Sequence, residues 1–334
     1  MKIKNVFFKV KSEVFKSYGK TLVIAEIGSN HNNNFNLLKK LVKIAKKSGC
    51  DAVKFQLFKA EKLVQKNSNA YKILKKLELS DAWIPKIKKL CKKNNLLFAC
   101  SPFDEQAIKI LKKNNCDIIK IASPEIKNTY LIKKAIQTRI PVIISTGDSD
   151  KKIIDRVLNL LKLLTVKSKS LAFLHCTSEY PAKISNINLN MIKYLSGNLK
   201  KFAVGFSDHS LGIDASVAAV SMGACIIEKH ITVSRKLKGP DHFFAIEPNE
   251  LHELVRKIRN SEKYFGRFTK VRLKSENTIF ICAFSKKSIK KNTVIKFNDI
   301  VFKRSLKKGI EIHNIKKILN KKSKKNYYKD EMII

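Results

Sequence analysis

Eight short apolar segments recur along the chain: TLVIAEIG (21–28), DAVKFQ (51–56), LLFACS (96–101), IIKIAS (118–123), PVIIST (141–146), LAFLHC (171–176), FAVGFSD (202–208) and CIIEKHI (225–231). Each is rich in β-branched or aromatic residues and has the length of a strand buried on both faces. Between them the period lengthens. NLLKKLVKIAKKSG repeats its apolar residues at helical spacing and stops at Gly49, and SDAWIPKIKKLCKKNN, DEQAIKILKKNN and SLGIDASVAAVSMG behave alike. A further helical pattern, PNELHELVRKIRNSEKYF, follows the eighth segment.

Eight strands alternating with helices predict a closed α/β fold, the (β/α)8 TIM barrel. An open doubly wound sheet would bring a G-x-G-x-x-G turn after its first strand, whereas this chain has GSNHNNN there. Residues 1–20 precede the first strand and have the length for a hairpin closing the bottom of the barrel. The barrel domain is expected over 1–265. A polar, basic linker follows over 266–276, and 277–334 read as a small, mostly β domain with basic turns and no long helix.

Composition adds limits. With 334 residues and 44% hydrophobic content the chain can bury a large core. No stretch is apolar for the length of a bilayer span, and the N-terminal lysines interrupt any signal-peptide core. The protein reads as cytoplasmic, with no membrane partner. Its seven cysteines are scattered with no C-x-x-C pair, which suits reduced thiols. The net charge of +42 raises a nucleic-acid reading. The excess, however, is lysine in doublets along helical faces, without interleaved aromatics. We read it as a solvated surface and expect no nucleic-acid partner.

In a (β/α)8 barrel, chemistry sits at the C-terminal ends of the strands. Those ends carry Glu26, Lys54, Gln56, Ser101, Lys120, Ser123, Ser145, His175, Ser207, Asp208, His209, Glu228, Lys229 and His230, with Tyr180 in the loop after the sixth strand. Lys54 and Lys120 lie inside apolar segments, where an ammonium needs an anion or a carboxylate such as Glu26 or Glu228. With Ser101, Ser123 and Ser145 they would hold a phosphate or carboxylate. His209 and His230 come from neighbouring strands, so both rings can reach one divalent cation acting as a Lewis acid. Glu26 and Glu228 would balance charge or move protons. His242 falls in a loop after the eighth strand, and His252 on a helix surface.

In order along the chain, IAEIGSNHN, DAVKFQ, IKIAS, ISTG, LHCTSEYP, GFSDHSLG, IIEKHIT and GPDH resemble the sialic acid synthase family, which includes N-acetylneuraminate, legionaminate and pseudaminate synthases. The match runs over about 20–265. The tail, with KKSIKKNTVIKFNDIVFKRS, resembles the antifreeze-like SAF (β-clip) domain of these enzymes. The resemblance implies a transferase that condenses phosphoenolpyruvate with N-acetylmannosamine or a related N-acyl amino sugar, forming a nine-carbon 2-keto acid and phosphate. The alternative is a diacetamido hexose, giving a legionaminic or pseudaminic acid.

Position by position, the resemblance makes His209 and His230 metal ligands, for Mn2+ with Mg2+ or Co2+ as substitutes. It assigns Lys54, Ser101, Lys120, Ser123, Ser145 and Ser207 to phosphoenolpyruvate, and Glu26 and Glu228 to the reacting carbons. Gln56, Tyr180 and Asp241 face the sugar, as does Arg304, reaching in from a partner subunit of a homodimer with exchanged tails. Two departures stand out. Ser178 and Glu179 occupy a stretch where the family often has asparagine, and Arg304 is followed by Ser-Leu in place of Pro-Gly.

Overall fold

The structure is a computed structural model that describes residues 6–164, 166–266 and 269–334, with the side chains of 277 and 278 excepted. The first five residues of the N-terminal extension, and 267 and 268 of the expected linker, lie outside the described residues. The chain divides into two compact units, 1–266 and 267–334.

The first unit opens with an antiparallel hairpin, β1 (Phe7–Val10) and β2 (Glu13–Lys16). Eight parallel strands follow: β3 (Leu22–Gly28), β4 (Ala52–Leu57), β5 (Leu97–Pro102), β6 (Ile118–Ile121), β7 (Val142–Ser145), β8 (Leu171–Cys176), β9 (Ala203–Asp208) and β10 (Ile226–His230). β10 pairs back onto β3, so the sheet closes into the expected barrel. The intervening helices are α1 (Phe35–Ser48), α2 (Ala60–Leu63), α3 (Asn69–Leu77), α4 (Ile84–Lys93), α5 (Glu105–Lys113), α6 (Thr129–Gln137), α7 (Lys151–Leu163), α8 (Asn190–Asn198) and α9 (Asp214–Ser221), with α10 (Pro248–Tyr264) after the last strand. Local chemistry sets their ends. On α1, the Asn34 side chain accepts from the backbone N–H groups of Asn36 and Leu37, and Gly49 ends the helix at φ 86°.

Side-chain alternation sorts the strands into two layers. Val23, Ala25, Val53, Phe55, Phe98, Val204, Phe206 and Ile227 point outward and pack with the helices. Leu22, Ile24, Ala52, Leu97, Ala99, Ile118, Ile143, Ala172, Leu174, Ala203 and Ile226 fill the lower lumen, where Phe8, Val10 and Phe15 of the hairpin close it. Higher on the same inward face the residues turn polar: Glu26, Lys54, Ser101, Lys120, Ser145, Ser207 and Glu228 continue the rows begun by Ile24, Ala52, Ala99, Ile118, Ile143, Gly205 and Ile226.

Gly205 shows how tightly that lumen is filled. A Cβ there would lie 2.4 Å from the Ile226 carbonyl oxygen and 2.6 Å from Leu174 Cδ2. Gly205→Ala is therefore expected to cost about 1–3 kcal/mol by overpacking. Urea unfolding reads the loss; native stability would show that the lumen has slack.

The second unit is small. β11 (Phe280–Ser285) and β12 (Ile300–Ser305) pair antiparallel over a core of Ala283, Ile289, Ile295, Ile300, Tyr327 and Ile333. Arg304 belongs to this unit, exposed on β12 opposite Ile281. Among the described residues no helix is long and apolar enough to cross a membrane.

Candidate active site

The polar layer opens into a cleft of about 340 Å³ at the C-terminal end of the barrel. Glu26, Lys54, Gln56, Ser101, Lys120, Ser123, Ser145, Tyr180, Ser207, His209, Glu228 and His230 line it, with Ala122 and Pro124. Residues from all eight strands or the loops that follow them thus converge on one volume.

Two lysines and two carboxylates form its floor. Lys54 Nζ lies 2.9 Å from Glu26 Oε1 and 3.7 Å from Glu228 Oε1, and donates to Ser101 Oγ at 3.3 Å. Lys120 Nζ reaches Glu228 Oε1 at 3.0 Å. Ser207 Oγ donates to that same oxygen at 3.1 Å, and Gln56 Nε2 donates to Glu26 Oε1 at 2.9 Å. All four charged groups are buried. Burial alone depresses both ammoniums, but the lysines differ in company. Glu228 and Glu26 together outweigh desolvation at Lys54, whose pKa is raised. Lys120 has burial against it, Glu228 for it and the Lys54 charge against it, so its pKa is lowered. Burial would push the Glu228 carboxyl up, yet the two ammoniums hold it below the usual range.

The quartet leaves acceptors unspent. Glu26 Oε2, Glu228 Oε2 and Ser145 Oγ are buried without a hydrogen-bond partner among the described residues. The Gly147 N–H donates to Ser123 Oγ at 3.3 Å. A Cβ on Gly147 would meet Ser123 Oγ at 2.6 Å and Ser178 Oγ at 2.5 Å, so the missing side chain leaves room for these two hydroxyls.

Beside this floor stand the histidines, their ring centroids 5.6 Å apart with planes at 65°. His209 Nδ1 is 2.8 Å from the Thr177 carbonyl oxygen. A carbonyl only accepts, so Nδ1 carries the proton and Nε2 keeps its lone pair. Burial, then the neighbouring His230, lower the His209 pKa to about 3. His230 Nδ1 is buried without a hydrogen-bond partner among the described residues, with Asp241 Oδ2 3.7 Å away. Among the described residues no group of three or more His, Cys, Asp or Glu side chains is arranged to hold a metal. The protein thus offers two imidazoles, which fits an ion that leaves most of its coordination positions to substrate and water.

Tyr180 roofs the pair. Its ring lies 4.1 Å from His209 and 5.3 Å from Phe244, and it remains 47% exposed at the mouth. Asp241 sits at the edge, accepting from Ser29 Oγ at 3.0 Å.

Some polar residues at the strand ends do not face this cleft. His175 donates from Nε2 to the Ile187 carbonyl at 2.6 Å and stacks on Phe206, so it anchors the loop after β8. Asp208 and Lys229 pair with each other, Asp208 also holding Ser216 of α9 outside the barrel. His242 is buried with Nδ1 2.7 Å from Thr232 Oγ1, and His252 is exposed on α10. Nothing in the sequence points to the Thr177 carbonyl, because a backbone group has no letter. All seven cysteines are buried and free, as their scatter implied.

His31, after β3, supplies a pH prediction. Its Nδ1 accepts from the Asn33 N–H at 3.0 Å, and burial lowers its pKa from 6.5 to about 4. The unfolded chain therefore binds the extra proton first, and this contribution to stability is complete above pH 6.5 and lost as pH falls toward 4. Up to about 3 kcal/mol is at stake. In urea unfolding at pH 7 and pH 4.5, His31→Asn should show a flatter pH dependence than native protein. Equal slopes would exclude His31 as the cause.

Comparison with known proteins places this geometry. A family model described as the NeuB family matches residues 41–270. N,N'-diacetyllegionaminic acid synthase of Campylobacter jejuni is 37% identical over 332 residues, covering 94% of this chain and 99% of that protein. The protein of the same name from Legionella pneumophila is 38% identical, covering 87% of this chain and 82% of its own. The crystal structure of N-acetylneuraminic acid (sialic acid) synthetase from Leptospira borgpetersenii, in complex with citrate, matches with a TM-score of 0.76 at 31% identity, over 82% of this chain and 95% of that one. The converging strand ends, the match of most of the barrel unit to the family model and relatives aligned over nearly the whole chain lead to one conclusion: the chain belongs to the NeuB family.

Proposed function

We propose that this protein is a sialic-acid-type synthase. It condenses phosphoenolpyruvate with the open-chain aldehyde of an N-acyl amino sugar, giving a nine-carbon 2-keto acid and phosphate. The observation that carries this reading is the buried floor of Lys54, Lys120, Glu26 and Glu228 set directly beside the His209–His230 pair.

The two ammoniums, with Ser101, Ser123, Ser145 and Ser207, hold the carboxylate and phosphate of phosphoenolpyruvate and aim its C3 at the aldehyde. His209 and His230 would hold a divalent cation, Mn2+ in the first instance, which supplies Lewis-acid polarisation of the aldehyde. The C2–C3 π bond opens to form a C–C bond between C3 and the aldehyde carbon, whose oxygen takes up the proton that water releases in the next step. The positive charge left on C2 lies among the carboxylates of Glu26 and Glu228, which stabilise it. Water adds at C2 and gives a proton to one of these carboxylates, whose Oε2 atoms have no hydrogen-bond partner among the described residues. The C2–O bond to phosphate then breaks with its electron pair leaving on phosphate, which takes the proton of the C2 hydroxyl as C2 becomes the ketone. Gln56, Tyr180 and Asp241 would meet the sugar.

Two relatives at 37% and 38% identity bear the name N,N'-diacetyllegionaminic acid synthase, against 31% for the N-acetylneuraminic acid synthetase. This favours a 2,4-diacetamido hexose over N-acetylmannosamine. Phosphate release from phosphoenolpyruvate with Mn2+ and each sugar, with mass detection of the keto acid, decides. Release with the diacetamido sugar supports the full reading, and release with N-acetylmannosamine alone changes only the sugar. Folded, metal-loaded protein inactive with every amino sugar would overturn the function.

A further inference from the structure

Strand alternation turns Ser207, Glu228 and His230 into the barrel and turns Asp208 and Lys229 out of it, opposite each other in the β9–β10 register. The layer they enter lies between barrel and helices and is otherwise lined here by Val204, Phe206, Ile227, Ala219 and Val220. Both side chains belong to residues only 1% exposed. A buried ion pair in such a layer gains little over well-packed apolar residues, so stability does not account for it.

Its connections point elsewhere. Lys229 Nζ contacts Asp208 Oδ2 at 3.0 Å and donates to the Ser210 carbonyl at 2.6 Å. Asp208 Oδ1 accepts from the Ser210 N–H at 2.9 Å and from Ser210 Oγ at 2.6 Å, while Oδ2 accepts from Ser216 Oγ at 2.6 Å. Asp208 is the residue before His209, Ser210 the residue after it, and Lys229 the residue before His230. The turn carrying His209 is thus folded around one carboxylate and tied by one ammonium to the strand carrying His230. On the front side, His209 is held by Thr177 and by its own carbonyl, which accepts from the Ala182 N–H at 2.9 Å. Those contacts fix His209 to the loop after β8. The Asp208–Lys229 pair ties it directly to His230.

We propose that Asp208 and Lys229 are positioning residues that set, from behind the sheet, the separation and orientation of the two imidazoles, and thereby the affinity for the divalent cation. Neither lines the cleft. The inference rests on the reading of His209 and His230 as the metal pair.

The test uses the full-length chain, stripped of metal and titrated with Mn2+ alone, following free Mn2+ by electron paramagnetic resonance. Asp208→Asn combined with Lys229→Met removes both charges together, so neither is left buried and unpaired. Far-ultraviolet circular dichroism and cooperative thermal unfolding establish that it folds. The expected result is a loss of Mn2+ affinity of roughly 10–100-fold, the range for residues supporting metal ligands. On a His209→Ala background the same two substitutions should change residual Mn2+ binding by no more than about twofold, because the pair acts through that histidine. A folded variant binding Mn2+ within about twofold of native protein would overturn the proposal. Lys229→Gln, which keeps a donor for the Ser210 carbonyl, is the second variant, expected to weaken binding less. If neither variant folds, the pair is structural and the inference fails. Native protein whose Mn2+ binding survives His230→Ala would instead overturn the metal-pair reading beneath it.

Discussion

Glu228→Gln is expected to abolish turnover while making the protein more responsive to phosphoenolpyruvate. Glu228 Oε1 is shared by Lys120, Lys54 and Ser207, so its charge is the counter-ion of a buried cluster. Lys54 retains Glu26 when that charge goes, but Lys120 retains no carboxylate partner in the cluster. Removing one partner of a buried pair costs about 3–5 kcal/mol, so the unfolding midpoint should fall by several degrees. An anion that supplies the missing charge binds the folded form alone and restores part of this loss. Thermal unfolding with and without phosphoenolpyruvate should therefore show a larger upward shift in the variant than in native protein. The outcome that sinks the assignment is a variant with native stability and native turnover.

The second large effect concerns the imidazoles. His209→Ala and His230→Ala should each reduce Mn2+ binding to a weak remainder and turnover with it, the latter by roughly a thousandfold or more, since Lewis-acid polarisation is worth several kcal/mol. Stability should suffer less than activity. His230 Nδ1 has no hydrogen-bond partner to lose, and His209 loses one bond to a carbonyl. Phosphate release and metal titration on the same preparations read both quantities. A variant that keeps both would remove its histidine from the metal pair.

The barrel was legible because each of its strands is an apolar run of strand length, and the closing of β10 on β3 follows from their number. Which side chains face inward was less legible. Strands buried on both faces have little hydrophobic alternation, so adjacent polar residues such as Ser207, Asp208 and His209 look alike in the sequence. The alternation became useful only with the register known, and it then separated Glu228 and His230 from Lys229. His175 was ambiguous for the same reason: it ends a strand, yet it faces the helices. The alternative reading of the lysines, pairing with Glu26 and Glu228, is what the geometry contains. Binding an anion and being neutralised are not rival roles for such groups, because a lysine kept charged by carboxylates is ready to exchange partners.

The hairpin of β1 and β2, with Phe8 and Phe15 fully buried beneath the lumen, has a consequence for traffic. A tube stoppered at one end is a well. Tyr180 lines its mouth, and on the proposed reaction a molecule on the lysines at the floor would enter and leave by that open end, with a second molecule above it blocking the way out. On the proposed reaction, loading and unloading become a queue in which the first arrival is the last to depart. The stopper that completes the hydrophobic core would thereby give the proposed chemistry an order in time.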